Sequence, residues 1–403
     1  MADPPRGPGR APGPDQAGQA AMPDFPVRVD ERDGRWRAAP AGAGAGVALL
    51  ELLAGSADPP AGFRLTRGMR RRVTPTERRI AVDQTNESWV VGETAVVKWT
   101  TEPLVGPHPD RLRRLAAAGF TRMPALWGLV EWRTPDGHWV PVATAVDVVP
   151  GAEDGWTWCV EEARSALGVT DRPAQPFAAE LGGLTAEMHL ALADSPAERA
   201  SAGYAAGALA DARRQLDRVA SPLLDAHRAE LAAALAPLGD AAGTPLVAGH
   251  GDFHVGQLLR APGGPLVVID FDGNPTLTAP QRAARQPAAL DVAGMLMSLE
   301  NVGHVVRRYA PEVPDSDAAA WTATVQAEFV GAYRAGLTAA GHGELLDPSL
   351  LAAYGVQQLC RELAYADSHL PRWRYVPEGA LRRRFGAAGP SGSGRPGGPG
   401  GPA

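Results

Sequence analysis

Lysine is almost missing from this chain. Of 39 basic residues, Lys98 alone is a lysine. Heavy use of Ala, Gly, Pro and Arg points to a GC-rich coding bias that favours arginine. A single surviving lysine therefore asks for a reason. Arginine does not replace lysine where a compact ammonium must fit; chance on a surface strand is the other reading, and composition does not choose between them. Cysteine is scarce too. Cys159 and Cys360 are too far apart for a CxxC pair and too few for a disulfide framework. Buried free thiols in a reducing compartment are expected. No apolar run approaches the roughly 18 residues of a membrane-spanning helix, and the N-terminus lacks the apolar core of a signal peptide. A cytoplasmic location is expected. An excess of positive charge is also missing: the formal charge is −6. That excludes the basic footprint of a nucleic-acid binder. The short arginine runs at 70–72 and 382–384 are read as solvated surface.

What is present suffices for a large core. The chain has 403 residues, 45% of them hydrophobic, which favours two lobes over one domain. Residues 1–22 and 386–403 are low-complexity and are read as disordered tails. Residues 23–78 read as a small cap, with a strand at 27–29, a turn at Asp33-Gly34 and a helix at 47–53. Residues 79–150 read as a β-rich lobe. A strand covers 79–82, and a hairpin joins 89–91 to 95–99 across Gly92-Glu93. A helix follows near 109–118, then strands at 127–133 and 139–149. Pro150-Gly151 marks the boundary of a helical lobe over 151–385. Apolar spacing near 3.6 predicts its helices at 175–194, 204–238, 287–310, 318–340 and 349–369. The fold class expected is α+β and bilobal.

One stretch carries the chemistry. His250-Gly-Asp252-Phe-His254-Val-Gly-Gln257 gives a carboxylate and, five residues on, an amide. Thirteen residues later Asp270-Phe-Asp272-Gly closes the apolar run 266–269. An Asp-x-Asp-Gly motif alone would suit a phosphatase nucleophile. Joined to the upstream Asp252 and Gln257 on the other arm of a hairpin, it suits phosphoryl transfer better. One carboxylate takes the proton of the attacking hydroxyl, while an amide oxygen and a second carboxylate hold magnesium. Only helical sequence follows Asp270, which disfavours the phosphatase. His250 is read as orienting this loop, His254 as a structural hydrogen-bonder and His189 as a satisfied core residue. Asp291 is read as bonding the loop or capping a helix.

The pattern HGD-x-H-x-x-Q followed by IDFDGNP resembles the catalytic segment of the aminoglycoside phosphotransferase-like branch of the protein-kinase-like fold. Within that branch it is most similar to the actinobacterial maltokinase group and the glucosamine kinases related to it. The segments 120–126, 150–156, 181–189 and 291–296 also resemble that group, so the likeness runs over about 23–385. The resemblance implies a kinase using ATP and Mg2+. It implies Asp252 as base, with Gln257, Asp270 and Asp272 as metal ligands. Gln257 stands where asparagine is usual. Lys98 is implied at the phosphates, with Asp110 as the nearest carboxylate partner on the next helix. No glycine-rich loop is present, so residues 83–88, with Ser88, are expected to cover the phosphates.

For the acceptor, Gln358, Arg361, Glu362 and Tyr365 share one helical face, and Trp373 follows. Such a stripe is either solvent-facing or a sugar site in which Trp373 stacks on the ring. The Arg-Glu pair resembles the glucosamine kinases, and Glu362 or Asp272 suits the 2-ammonium. The expected reaction is ATP-dependent phosphorylation of glucosamine at its 6-hydroxyl. Maltokinase or aminoglycoside phosphotransferase activity is the alternative, and a non-catalytic pseudokinase the next. The expected partners are a small amino sugar and ATP, with no nucleic acid, no membrane and a monomeric chain.

Overall fold

The computed structural model describes residues 25–69, 71, 74–80 and 86–385. The two expected tails, half of the strand at 79–82 and the loop residues Asp83 to Thr85 lie outside the described residues.

An N-terminal hairpin, β1 (Val27–Arg32) and β2 (Arg35–Pro40), precedes α1 (Ala45–Ala54). Six antiparallel strands then form one sheet: β3 (Phe63–Arg67), β4 (Glu77–Arg79), β5 (Glu87–Val91), β6 (Ala95–Trp99), β7 (Leu126–Arg133) and β8 (Trp139–Asp147), in the order β3-β7-β8-β6-β5-β4. Helix α2 (His108–Ala117) connects β6 to β7. Strand alternation gives the sheet two apolar faces. One face packs Val97, Trp99, Trp127 and Trp132 against Leu49, Leu50 and Leu53 of α1. From α2, Leu112 and Leu115 join Leu129 in the core of the helical part instead. Helix α2 thus belongs by sequence to the sheet and by packing to the helices.

The helical part opens with β9 (Glu153–Asp154), α3 (Gly155–Ala166) and α4 (Ala178–Leu192). Helix α3 is missing from the sequence reading. Its start is an N-cap: Asp154 accepts from the Trp156 N–H at 3.0 Å and the Thr157 N–H at 3.1 Å. The single helix expected over 204–238 is three: α5 (Ala202–Arg218), α6 (Pro222–Ala226) and α7 (Arg228–Ala234). Apolar spacing carries through the break, but Pro222 cannot continue a helix and Ser221 caps a new one. Strands β10 (Leu258–Arg260) and β11 (Leu266–Val268) pair antiparallel, with β9 on the outer edge of β10. Then come α8 (Ala279–Ala283), α9 (Ala289–Tyr309), α10 (Asp315–Ala339), α11 (Leu351–Ser368) and α12 (Tyr375–Phe385). Helix α9 is buried over most of its length and forms the axis of this part. Among the described residues no helix is long and apolar enough to cross a membrane.

Candidate active site

Sheet register brings the first groups together. Ser88 of β5 and Thr144 of β8 both lie directly opposite Lys98 of β6. Cross-strand partners share a face, and Val97 and Trp99 take the other one. Lys98 therefore points away from the α1 core and toward the helical part. Its Nζ donates to Asp270 Oδ1 at 2.8 Å and to Asp272 Oδ2 at 2.7 Å. Burial alone would lower the Lys98 pKa, but Asp272 and Asp270 outweigh it and hold the value above the ordinary one. Burial would likewise raise Asp272; His108 and Lys98 overcome it and hold the carboxyl well below the usual range. His108, the first residue of α2, places Nδ1 2.8 Å from Asp272 Oδ1, and its Nε2 lies 3.0 Å from Thr144 Oγ1.

The expected pairing of Lys98 with Asp110 is not what the structure places there. Asp110 is exposed and accepts from Arg113 Nη1 at 2.8 Å. Helix α2 turns Arg111, Leu112 and Leu115 inward, so the intervening Asp110 faces solvent. The carboxylates that meet Lys98 come from the Asp-x-Asp segment itself.

The loop carrying Asp252 is held from behind by Asp291, near the start of α9. Asp291 Oδ2 accepts the His250 N–H at 2.6 Å and His189 Nε2 at 3.2 Å, while Oδ1 accepts the Gly251 N–H at 2.8 Å. The Tyr333 hydroxyl closes the chain at 2.7 Å from His189 Nδ1. Burial would raise the Asp291 pKa; hydrogen bonding and charge from His189, then His250 and the Gly251 amide, bring it down to about 2. Gly249 is required here, because a Cβ would stand 2.5 Å from Asp291 Oδ2. His250 Nε2 lies 2.9 Å from the Ile269 carbonyl, tying the two arms of the hairpin.

Asp252 accepts from Asn274 Nδ2 at 2.9 Å, and Asn274 is itself fixed by the Thr276 N–H at 3.0 Å. Arg111 crosses from α2 to donate to the carbonyls of Phe271 (2.9 Å), Arg282 (3.2 Å) and Ala248 (3.3 Å). Burial lowers its pKa to about 10, against the pull of Asp291 and Asp272; it stays charged at neutral pH. His108, Arg111 and Asn274 were missed by the sequence reading. A histidine and an arginine on an amphipathic helix carry no signal of what the neighbouring lobe presents to them.

Gln257 reaches the same end of the hairpin. The Ile269 N–H donates to its carbonyl at 2.9 Å, one residue before Asp270. Its side-chain nitrogen lies 3.4 Å from His254 Nε2. His254 Nδ1 accepts the Gly256 N–H at 3.0 Å, and its Nε2 stands 4.0 Å from Asp252 Oδ2. Burial lowers the His254 pKa. Asp270 sits at φ 63, a left-handed conformation that aspartate tolerates better than most residues. That turn aims its carboxylate back at Lys98. Asp270 and Asp272 converge on one cation, the Lys98 ammonium; the contact recorded for the Gln257 side chain is with His254.

The stripe on α11 is split. Glu362 faces α9, accepting from Asn301 Nδ2 at 3.0 Å and from Gln358 Nε2 at 3.3 Å. Burial raises its pKa to about 7, partly offset by those two bonds. Burial lowers the Arg361 pKa, opposed by the charges of Asp252, Glu362 and Asp291. Arg361 Nε and Asn301 Oδ1 are buried without a partner. Trp373 meets Trp156 edge to face at 5.4 Å; Trp156, the second residue of α3, was also missed. Tyr365 stands apart: it is 42% exposed and stacks on His369 at 4.8 Å.

These arrangements define a class. A sheet lysine, an anchored HGD loop and an Asp-x-Asp segment meet between a β-sheet and a helical bundle, as in the aminoglycoside phosphotransferase-like kinase fold. A family model for the phosphotransferase enzyme family matches residues 76–347, and the chain belongs to that family. Its similarity extends to a glucosamine kinase of Mycolicibacterium smegmatis, 43% identical over 89% of this chain and 92% of that protein. A glucosamine kinase of Streptacidiphilus jiangxiensis is 42% identical over 93% of this chain and 88% of that protein. A solved glucosamine kinase in complex with glucosamine, ADP and inorganic phosphate superposes with a TM-score of 0.76 at 38% identity, covering 92% of this chain and 96% of that one.

Proposed function

We propose that this chain is an ATP-dependent glucosamine kinase that produces glucosamine 6-phosphate. The observation carrying the acceptor side is the half-buried Arg361 and Glu362 of α11, with Arg361 Nε and Asn301 Oδ1 buried and unpartnered. Unmet buried donors and acceptors suit a ligand dense in hydroxyls. Glu362 supplies the carboxylate for the 2-ammonium, and Trp373 with Trp156 an aromatic wall.

Asp252 is the base. Its carboxylate, oriented by Asn274, takes the proton as the acceptor oxygen bonds to the γ-phosphorus and the bond to the ADP oxygen breaks. Lys98 neutralises phosphate charge, and Ser88 lies beside it on the sheet. Asp270, Asp272 and Gln257 would hold magnesium, which when bound would supply charge neutralisation at the phosphates. His108 keeps Asp272 ionised and oriented from the sheet side.

The test is a panel of glucosamine, maltose and an aminoglycoside with ATP and magnesium, read by ADP release and by 31P NMR of the product. Glucosamine is expected to be phosphorylated at the 6-hydroxyl and maltose not at all. Turnover of maltose or the aminoglycoside without glucosamine overturns the acceptor. ADP binding without turnover of any of them overturns the enzyme reading.

A further inference from the structure

Arg382 and Arg383, from the arginine run read from sequence as solvated surface, line a recess. Its walls come from the last turns of α9 and from α12: His304, Arg307, Arg308, Tyr375, Gly379, Arg382 and Arg383, with Asp315 at the rim, around an open volume of about 900 Å3. Asp291 and Arg307 are separated along α9 by about 24 Å at the helical rise of 1.5 Å per residue. The recess is therefore remote from the Asp252 loop.

Four arginines face one carboxylate in this lining, in a chain whose formal charge is −6. Neighbouring acids neutralise only part of the excess. Arg307 pairs with Asp315 at 2.7 Å and Arg382 with Glu378 at 3.2 Å. Glu300 is shared between Arg384 at 2.8 Å and Arg383 at 3.8 Å. Arg308 has no carboxylate partner among the described residues; its guanidinium lies 5.8 Å from the Tyr375 ring.

The floor is unsatisfied as well. His304 is 8% exposed, and its Nε2 has no hydrogen-bond partner, the nearest acid being Glu300 at 3.9 Å. Arg307 Nε, Arg383 Nε and Nη2 and the Tyr375 hydroxyl are also buried without partners. Buried polar groups are rarely left unpaired, and orphans gathered around one recess point to a missing ligand. Gly379 lets α12 pack directly on the His304 ring, since a Cβ there would stand 2.7 Å from His304 Nδ1.

We propose that this recess binds a phosphate monoester of a small molecule. Forked guanidinium donors match phosphate oxygens, and the Tyr375 ring offers a face for the esterified sugar or nucleoside. The test is calorimetric titration of the full chain, saturated with ADP, magnesium and glucosamine so that the catalytic cleft is filled. The probes are inorganic phosphate, glucose 6-phosphate and AMP. Binding of at least one ester is expected, tighter than inorganic phosphate; which ester it is separates a sugar from a nucleotide ligand. Arg308→Ala and Arg382→Ala, both at exposed positions, should each weaken it roughly tenfold, the loss of one charge-assisted contact. ADP affinity and melting temperature should stay at wild-type values. Absence of binding, affinity unchanged in both variants, or equal affinity for inorganic phosphate and the esters overturns the proposal.

Discussion

Replacing Asp291 by asparagine tests the anchoring of the catalytic loop most directly. The wild-type carboxylate takes three donors: the amides of His250 and Gly251 at 2.6 and 2.8 Å and His189 Nε2 at 3.2 Å. Asparagine keeps the shape but has only one acceptor atom. With its oxygen toward His250 and His189, its amide nitrogen faces the Gly251 N–H, donor against donor. One buried N–H is then unpaired, at about 1–3 kcal/mol. Charge adds a second contribution. The Asp291 pKa is brought from its ordinary value of 3.8 to about 2, worth roughly 2.5 kcal/mol at neutral pH. The two overlap, because the same hydrogen bonds depress the pKa, so Asp291→Asn should destabilise the chain by about 3–4 kcal/mol.

The sign in pH follows from the depressed pKa. The charge contribution is complete above the unfolded value near 4 and is lost as pH falls through about 2. About half of it, roughly 1.2 kcal/mol, is gone by pH 3. Urea unfolding of both proteins between pH 7 and pH 3 should show the stability gap narrowing by that amount. In the same variant kcat should fall by about two orders of magnitude, because Asp252 loses its fixed backbone, while ADP affinity stays within about twofold. A loss below about 1 kcal/mol at pH 7, or a gap that does not narrow toward pH 3, would refute the reasoning.

Lys98→Arg keeps the charge but not its size. The ammonium sits 2.8 and 2.7 Å from two carboxylates, so steady-state kcat/KM for ATP should drop at least about a hundredfold while the melting temperature changes little. Arg111→Met leaves the carbonyls of Phe271, Arg282 and Ala248 without their buried donor, and chemical denaturation should record a loss of about 2–4 kcal/mol. Glu362, raised to about 7 by burial, ionises as pH rises through that value, so KM for glucosamine should fall over the same window and Glu362→Gln should flatten the profile. Its raised pKa also means that the stability it contributes is full below its unfolded pKa near 4.5 and is lost as pH rises through about 7; the glutamine variant should lack that decline.

What could be read in advance was local. Alternating apolar residues in β6 gave a strand whether or not a partner lobe existed, and the stretch from 250 to 272 gave a hairpin, β10 and β11, with Asp252 before it and Asp270 after it. What could not be read was which face of one element meets which face of another. Lys98 and Asp270 are 172 residues apart, and the resemblance pointed to the next helix, and so to Asp110, instead. The helix is rotated by the burial of Leu112 and Leu115 in the other core, and the same rotation drives His108 and Arg111 into the cleft.

The stripe on α11 was undecidable for the same reason. Gln358 and Glu362 turn toward Asn301 of α9, while Tyr365, on the same nominal face, stands at the exposed end of the helix on His369. Periodicity says which residues share a face; only the neighbour's length and position say how far along that face burial runs. The arginine run at 382–384 makes the argument from the opposite side. Charge predicted solvent, and Arg382 and Arg384 are exposed, but α12 lies along buried α9, and Glu300 on that helix holds Arg383 and Arg384 in place. A buried acid on the neighbouring helix thus fixes where a run of surface charge points, and only Arg382 and Arg383 of that run line the recess.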